Sequence, residues 1–359
     1  EQLAFKQRKM EALLGKFGPV APIIGMKNPW HYRNKVQSAF GFSPERGIVS
    51  GIYQASSHRI VPVSHCLIEN ETAGGIIRTI RELMPDFKIT AYDERTETGF
   101  LRHVLVKYGF ATGEVMVVLV AAEPIFKLQK PFLKKLLELH PEITTVVLNI
   151  NDKFGPVVLG DQEKVIYGKG YIEDVLCGLT FRISAKSFYQ VNPLQAEVLY
   201  ATAMRYAALT GKERVLDAYC GIGTIGMIAS RQAGEVLGVE LNRDAVRDAI
   251  ANAKRNGIQN CWFTQGDAGD CLHGMAKERV PLDVVFLDPP RDGSDRKFLS
   301  SLLAMRPKRI VYISCGPESL ARDLQVLTDG GYTVKGVQPV DMFPHTEHVE
   351  CVVLMSRVN

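Results

Sequence analysis

The stretch RVLDAYCGIGTIGMIASRQA, residues 214–233, decides the fold. A short aliphatic run passes straight into a glycine-rich turn, and a helical pattern follows without a linker. That strand–turn–helix unit then recurs along the C-terminal half. EVLGVEL (235–241), CWFTQGD (261–267), PLDVVFLDPP (281–290) and RIVYISC (309–315) read as strands, and RDAVRDAIANAKRNG (243–257), RKFLSSLLAM (296–305) and PESLARDLQVLTDGG (317–331) read as helices. Alternation of this kind calls for a doubly wound, mostly parallel sheet with helices on both faces. YTVKGVQPVDMF (332–343) and HVECVVLMSR (348–357) are close enough in sequence to pair antiparallel at its end. Upstream, VNPLQAEVLYATAMRYAAL (191–209) begins with helix-start chemistry: Asn192 as N-cap, Pro193 at the first helical position and Gln195 at the capping-box position.

The first half has a different texture. Short alternating segments broken by Gly, Pro and Ser run from residue 28 to 63, LRHVLVKYGF (101–110) and VMVVLVAAE (115–123) flank a turn, and TTVVLNIN, KVIYGKG and LTFRISA follow. These read as antiparallel hairpins in an α+β domain, with helices over 1–18, NETAGGIIRTIRELM (70–84) and PFLKKLLELH (131–140). The expected organisation is an α+β central domain over 1–180 and an α/β domain over 181–359.

The 359 residues, 46% hydrophobic and 23% charged, have ordinary globular composition, and no apolar run reaches the length that spans a bilayer. The reading is a cytoplasmic, monomeric protein. Seven scattered cysteines without a CxxC pair argue against a disulfide framework and against a self-contained zinc site. The net charge is +4, with nine Lys/Arg against three Asp/Glu in residues 1–60, a segment able to attract phosphate. The first residue is Glu1, and the reading expects an upstream portion.

In an open α/β sheet, ligands bind outside the carboxyl ends of the strands, so the residue that ends each strand is informative. Gly221, Gly223 and Gly226 match GxGxxG, which suits a dinucleotide or a nucleoside ligand equally. Glu240 ends the second strand where a carboxylate can accept both ribose hydroxyls, and Asp267 ends the third within reach of an adenine amino group. The fourth strand ends in LDPPRDG, and this discriminates. Two prolines make a rigid loop with few backbone donors, poor for a pyrophosphate and suited to holding Asp288 and carbonyls at fixed positions. An acidic residue followed by two prolines at the fourth strand of such a sheet resembles the loop of methyltransferases that act on nitrogen or carbon of planar substrates.

The fifth strand delivers Cys315 to the same rim, before Pro317 and a helix start. The helix macrodipole favours a thiolate there, so a lowered pKa is expected. A nucleophilic thiolate beside a methyl donor fits C5 methylation of a pyrimidine. Addition at C6 generates carbanion character at C5, and a general base must later remove the C5 proton. Glu350, opening the last strand, is the candidate base. Three other readings compete: a nitrogen methyltransferase, which uses the DPPR loop without Cys315 or Glu350; an NAD-dependent dehydrogenase, which leaves that loop unexplained; and a non-catalytic RNA-binding module.

SAKSFYQVN (184–192), DAYCGIGT (217–224), LDPPRDG (287–293), YISCGPESLARD (312–323) and VDMFPHTEHVE (340–350) together resemble the RNA uracil-5-methyltransferase family, and NPWHYRNKVQSAFG (28–41) resembles its central domain. The resemblance implies a class I, Rossmann-like methyltransferase domain preceded by an α+β RNA-binding domain. It implies S-adenosyl-L-methionine as cofactor, Cys315 as nucleophile and Glu350 as base. It also places Gln190, Tyr219, Thr224, Glu240, Asp267 and Asp288 on the cofactor-binding positions, with Gln190 and Asp288 able to reach the N3 and O4 edge that separates uracil from cytosine. The partner implied is RNA, 23S ribosomal RNA first and transfer RNA second. The target uridine must be unstacked, and Trp30, Tyr32 and Phe40 are candidates to stack on bases. Some relatives begin with a small RNA-binding barrel and hold a four-iron, four-sulfur cluster. Cys66 resembles that cluster's lone later ligand, but its three partners would precede residue 1, so no metal site can be completed from this chain.

Overall fold

The computed structural model describes residues 1–359 except 56, 154, 156, 358 and 359. It divides into two compact units: Trp30–Leu176 with Phe181–Lys186, and Glu1–Pro29 with Cys177–Thr180 and Ser187–Asn359.

The first of these is built on a seven-stranded sheet. Its strands are β1 (Lys35–Ser43), β2 (Gly47–Tyr53), β3 (Ile60–Pro62), β4 (Leu101–Tyr108), β5 (Val115–Ala121), β6 (Ile143–Ile150) and β7 (Gln162–Tyr167), in the order β3-β2-β1-β4-β5-β6-β7. The hairpins expected from the turn signals are present. The pairing of β5 with β6, however, is parallel, because α3 (Gln129–Leu139) carries the chain across between them. Helix α2 (Glu71–Leu83) starts at Asn70, whose side chain accepts from the Ala73 amide at 3.1 Å, and buries Ala73, Ile76, Ile77, Ile80 and Leu83 at helical spacing. That apolar face packs into a core shared with Val36, Phe40, Val104 and the fully buried strand β5. Tyr32 and Phe40 are 1% exposed and are core residues, whereas Trp30 is 43% exposed. Of the three aromatic candidates for base stacking, Trp30 alone presents a ring to solvent.

A two-stranded sheet of β8 (Ile172–Leu176) and β9 (Leu179–Ile183) follows. The second unit then builds its sheet from β10 (Arg214–Ala218), β11 (Glu235–Glu240), β12 (Cys261–Gln265), β13 (Val284–Leu287), β14 (Arg309–Ser314), β15 (Tyr332–Val340) and β16 (Glu350–Arg357). The order is β12-β11-β10-β13-β14-β16-β15, parallel through the first five and antiparallel at β16. The antiparallel pair was expected; the insertion of β16 between β14 and β15 was not. Helices α4 (Pro193–Ala207), α5 (Thr224–Ser230), α6 (Arg243–Arg255), α7 (Ala268–Lys277), α8 (Arg296–Met305) and α9 (Pro317–Asp329) cover the sheet.

Residues 1–29, read from sequence as part of the central domain, cluster with this second unit. Helix α1 (Gln2–Leu14) contributes Met10 and Leu14, both 0% exposed, to the core that holds Leu320, Leu324 and Val337. Burial of each such side chain is worth roughly 1.5–3 kcal/mol. Lys6 is 1% exposed, and its ammonium donates to Asp341 Oδ1 at 2.6 Å and to the Phe343 carbonyl at 3.1 Å. An ion pair so far from solvent is costly to break because either partner left alone is a buried charge. Among the described residues, no helix is long and apolar enough to cross a membrane.

Candidate active site

Strand order reverses at β10, so the rim beyond its carboxyl end is the crevice where such sheets bind ligands. The turn there is tightly determined. Gly223 has φ +85°, and a Cβ on it would lie 2.6 Å from the Phe263 ring, so only glycine fits. Gly226 lets α5 close on β10, since its amide donates to Asp217 Oδ2 at 2.7 Å. Tyr219 adopts φ +63°, a conformation that costs a non-glycine residue energy and persists where surrounding structure holds it. Its ring lies 5.3 Å from that of Phe298, and burial pushes its phenol up to about 12. Thr224 is the first residue of α5, partly open to solvent.

Glu240 ends β11 with each carboxylate oxygen accepting one backbone amide, Oε2 from Gly221 at 3.0 Å and Oε1 from Asn242 at 2.8 Å. A carboxylate has about four acceptor positions, so two remain for a diol. Asp267 caps α7 by accepting from the Asp270 amide at 2.9 Å.

On the other side of β10, three predicted residues converge. Ser314 is in register with Cys351 across the antiparallel β14–β16 pair, and Cys315 and Glu350 are the next residues out on the two strands. Asp288 leaves β13 alongside. Glu350 is 4% exposed; burial, reinforced by the Asp288 charge and opposed by Arg291, pushes its carboxyl up to about 8. Asp288 keeps some surface, yet the packed atoms around it push its carboxyl up to about 7. Cys315 is half-buried, and its thiol is raised, not lowered as the helix start suggested. Burial and the Glu350 and Asp288 carboxylates outweigh Arg291 and a backbone hydrogen bond, which act to lower it.

The Cys315 turn and the DPPR loop are tied together. Ser319 Oγ donates to the Arg291 carbonyl at 2.7 Å, and Arg322 Nη2 donates to the Asp292 carbonyl at 2.8 Å. Asp323, fully buried, accepts from the Ser294 amide at 2.8 Å and from the Tyr312 hydroxyl at 2.7 Å. A Cβ at Gly316 would meet the Arg291 carbonyl oxygen at 2.5 Å and Ser319 Oγ at 2.7 Å. Gly316→Ala therefore has to push the Cys315 turn off the loop that carries Asp288. Single-turnover methyl transfer is expected to slow by about 10²-fold, the effect of roughly 1 Å of misplacement. Wild-type rates in the alanine variant would mean that the contact yields without moving Cys315.

Several members of the constellation were not singled out in the sequence. Asp217 Oδ1 is buried without a hydrogen-bond partner, and burial raises the carboxyl to about 8, against the Gly226 amide. Arg291 lay in plain view inside LDPPRDG. Tyr200, 3% exposed on α4, has its hydroxyl hydrogen-bonded to Gln190 and lies within electrostatic reach of Asp288, Glu350 and Asp217. Gln190 itself is 8% exposed. The capping box at α4 is half-formed: Asn192 Oδ1 accepts from the Gln195 amide at 3.2 Å, but the Gln195 side chain donates to the Asp341 carbonyl at 3.0 Å. Cys66 stands alone, since no group of three or more His, Cys, Asp or Glu among the described residues is arranged to hold a metal ion.

A mostly parallel sheet of this order, with a glycine turn after its first strand and acidic residues ending the next three, defines a class I S-adenosylmethionine-dependent methyltransferase fold. Residues 1–358 match the model of the family described as tRNA (uracil-5-)-methyltransferase, and the chain belongs to that family. A Halalkalibacterium halodurans protein described as an uncharacterized RNA methyltransferase is 44% identical over 363 residues, covering 100% of this chain and 79% of its own. A Listeria monocytogenes protein with the same description is 43% identical over 358 residues, covering 99% and 79%. Among solved structures, the Pyrococcus abyssi tRNA (uracil-54, C5)-methyltransferase in complex with S-adenosyl-L-homocysteine is 28% identical, with a TM-score of 0.82 over 99% of this chain and 82% of its own.

Proposed function

We propose that this chain methylates C5 of an unstacked uridine in RNA through a covalent adduct between Cys315 and uracil C6, with Glu350 as the base. The observation that carries the reading is the adjacency of Cys315 and Glu350 at the open end of the β14–β16 pair, with Asp288 beside them. A hydride transfer has no use for the three groups, and attack by a substrate nitrogen could use Asp288 but leaves Cys315 and Glu350 idle. Together the three suit a cycle that must make a thiolate, hold a charged ring and then remove a carbon-bound proton.

The adenosyl group of S-adenosylmethionine fits the donors and acceptors of the rim. Glu240 would take the ribose hydroxyls, Asp267 the adenine amine, and the turn from Tyr219 to Thr224 would lie against the amino-acid portion, where the unpartnered Asp217 Oδ1 can accept from an ammonium. When bound, S-adenosylmethionine supplies an electrophilic methyl group on a cationic sulfur. The chain's own residues do the rest. The Cys315 thiolate forms the S–C6 bond, and the C5–C6 π pair moves to C5 and the C4 carbonyl. After C5 has gained its methyl group, Glu350 removes the C5 proton. The C–H pair restores the double bond, the S–C6 bond breaks and the thiolate returns.

The unit from Trp30 to Leu176 would grip the RNA. Its groove of about 510 Å³ is lined by Phe42, Arg46, Tyr53, Arg59, Tyr92 and Arg95, which combine stacking faces with guanidinium groups. For the RNA class, 23S ribosomal RNA is the first candidate from the motif resemblance. Transfer RNA is the second, favoured by the likeness to the archaeal transfer-RNA enzyme. The test is methyl transfer by purified protein to 23S ribosomal RNA and to transfer RNA transcripts, with 5-methyluridine mapped in the product. Methylated ribosomal RNA with unmodified transfer RNA is expected; the reverse moves the substrate to transfer RNA, and no 5-methyluridine in either overturns the activity.

A further inference from the structure

Glu350 is held at the end of a hairpin. Its register partner Val340 is the last residue of β15, and the loop 341–349 joins the two strands. The last rung of such a ladder is the first to fray unless its loop is tied down. Here three consecutive loop carbonyls each accept from a side chain elsewhere in the same unit: that of Asp341 from Gln195 Nε2 at 3.0 Å, that of Met342 from Asn192 Nδ2 at 2.9 Å and that of Phe343 from Lys6 Nζ at 3.1 Å. Lys6 Nζ also donates to Asp341 Oδ1 at 2.6 Å, and the Asp341 amide donates to the Ile24 carbonyl at 2.9 Å. Lys6, Asn192, Gln195, Asp341 and Glu350 are all buried.

We propose that Lys6, Asn192 and Gln195 are positioning residues for Glu350: by fixing residues 341–343 they hold its carboxylate where it can take the C5 proton. The inference rests on the proposed reading of Glu350 as the base. Stability alone does not call for the charge pair. Apolar side chains of similar volume in place of Lys6 and Asp341 would cost the fold little, because desolvation offsets most of the attraction between two buried charges. What the ammonium supplies is direction: it holds one side chain and one carbonyl at fixed points, from a helix anchored in the core through Met10 and Leu14. Asn192 works in the same way from the start of α4, its Oδ1 accepting from the Gln195 amide while its Nδ2 holds the Met342 carbonyl. Cys315 follows β14 and takes its position from that strand and the Gly316 turn. The two steps of the cycle therefore respond separately. Addition at C6 depends on Cys315; removal of the C5 proton, with the C–H pair restoring the double bond and the S–C6 bond breaking, depends on Glu350.

The experiment measures both steps by single turnover in Lys6→Met/Asp341→Leu, which leaves no unpaired charge, and in Gln195→Leu, which keeps the ion pair. Adduct formation on RNA carrying 5-fluorouridine, which never needs the base, is expected at the wild-type rate. On ordinary uridine RNA the covalent complex with C5 already methylated is expected to accumulate. Its release should slow about 10²-fold in the double variant, the effect of roughly 1 Å of misplacement, and less in Gln195→Leu. A loop that matters only to the fold would slow both steps alike. That result overturns the proposal, as does release at the wild-type rate in both variants. If the double variant does not fold, Gln195→Leu decides by the same two rates. Glu350→Gln separates the two layers of the claim. Accumulation there, with rapid release in both loop variants, refutes the positioning and leaves the base in place. No accumulation in Glu350→Gln removes the base, and the positioning falls with it.

Discussion

Cys315→Ala is expected to abolish methyl transfer, by at least about 10⁴-fold, and to form no covalent complex with RNA containing 5-fluorouridine at the target. Uracil C5 is too weak a nucleophile to be methylated without addition at C6, so no other group in the site can take over the step. The wild-type protein should trap the fluorinated RNA as a stable adduct, because fluorine cannot leave C5 as a proton does. The thiol is raised by burial and by the neighbouring carboxylates, so adduct formation in the wild type should also accelerate from pH 7 to pH 9 as the thiolate fraction grows. An alanine variant that still methylates RNA at a measurable fraction of the wild-type rate would remove Cys315 from the chemistry.

Glu350→Gln is expected to stop the cycle later, with RNA held covalently after its C5 has been methylated. The readout is protein–RNA complex resistant to denaturing electrophoresis on ordinary uridine RNA, absent from wild type at the same time point. Rapid turnover without accumulation would take the base role away. The same substitution has an opposite effect on stability. The Glu350 carboxyl lies near its ordinary 4.5 in the unfolded chain and at about 8 in the fold. The folded state thus binds the extra proton between those values. Stability from this group is full below pH 4.5 and is lost as the pH rises toward 8. Glutamine carries no such proton, so without ligands the variant should melt several degrees above wild type at pH 8 and close to it at pH 5. Equal melting temperatures at both pH values would show that Glu350 is not held in a protonated state by burial.

The parallel half of the sheet was legible because each strand announces itself by a short aliphatic run and its ligand-facing end by what breaks that run. Glu240, Asp267, Asp288 and Cys315 were singled out as candidates in that way, and parallel strands bring their carboxyl ends to one rim without further information. What was not legible depended on distance in the chain. Nothing local to ECVVLMSR says that it enters between β14 and β15, and nothing in QLAFKQRKMEALL says that it packs on the second unit. The parallel β5–β6 pair was missed although β5 is a continuous apolar run, VMVVLVA, buried along its whole length, and a helix separates it from β6; the turn signals on either side of β4 drew the hairpin reading onward. Tyr200 reads as one more apolar position of α4, and the need of its hydroxyl for a buried partner was the signal available. The raised Cys315 thiol was invisible for a different reason: it comes first from burial and then from two carboxyls that arrive from strands β13 and β16, and neither is local to the cysteine in sequence.

The Lys6–Asp341 pair joins residues 335 positions apart. Ribosomes add roughly 5–20 residues per second, so α1 waits on the order of tens of seconds before its buried partner exists. Throughout that time its lysine remains hydrated and Met10 and Leu14 have no core to enter. Helix α1 is therefore made early and is among the last pieces of its unit to dock, and the second unit cannot close until the whole Trp30–Leu176 unit has left the ribosome. Maturation of this chain is thus paced by translation, and a chaperone that binds exposed amphipathic helices has its longest opportunity at residues 2–14.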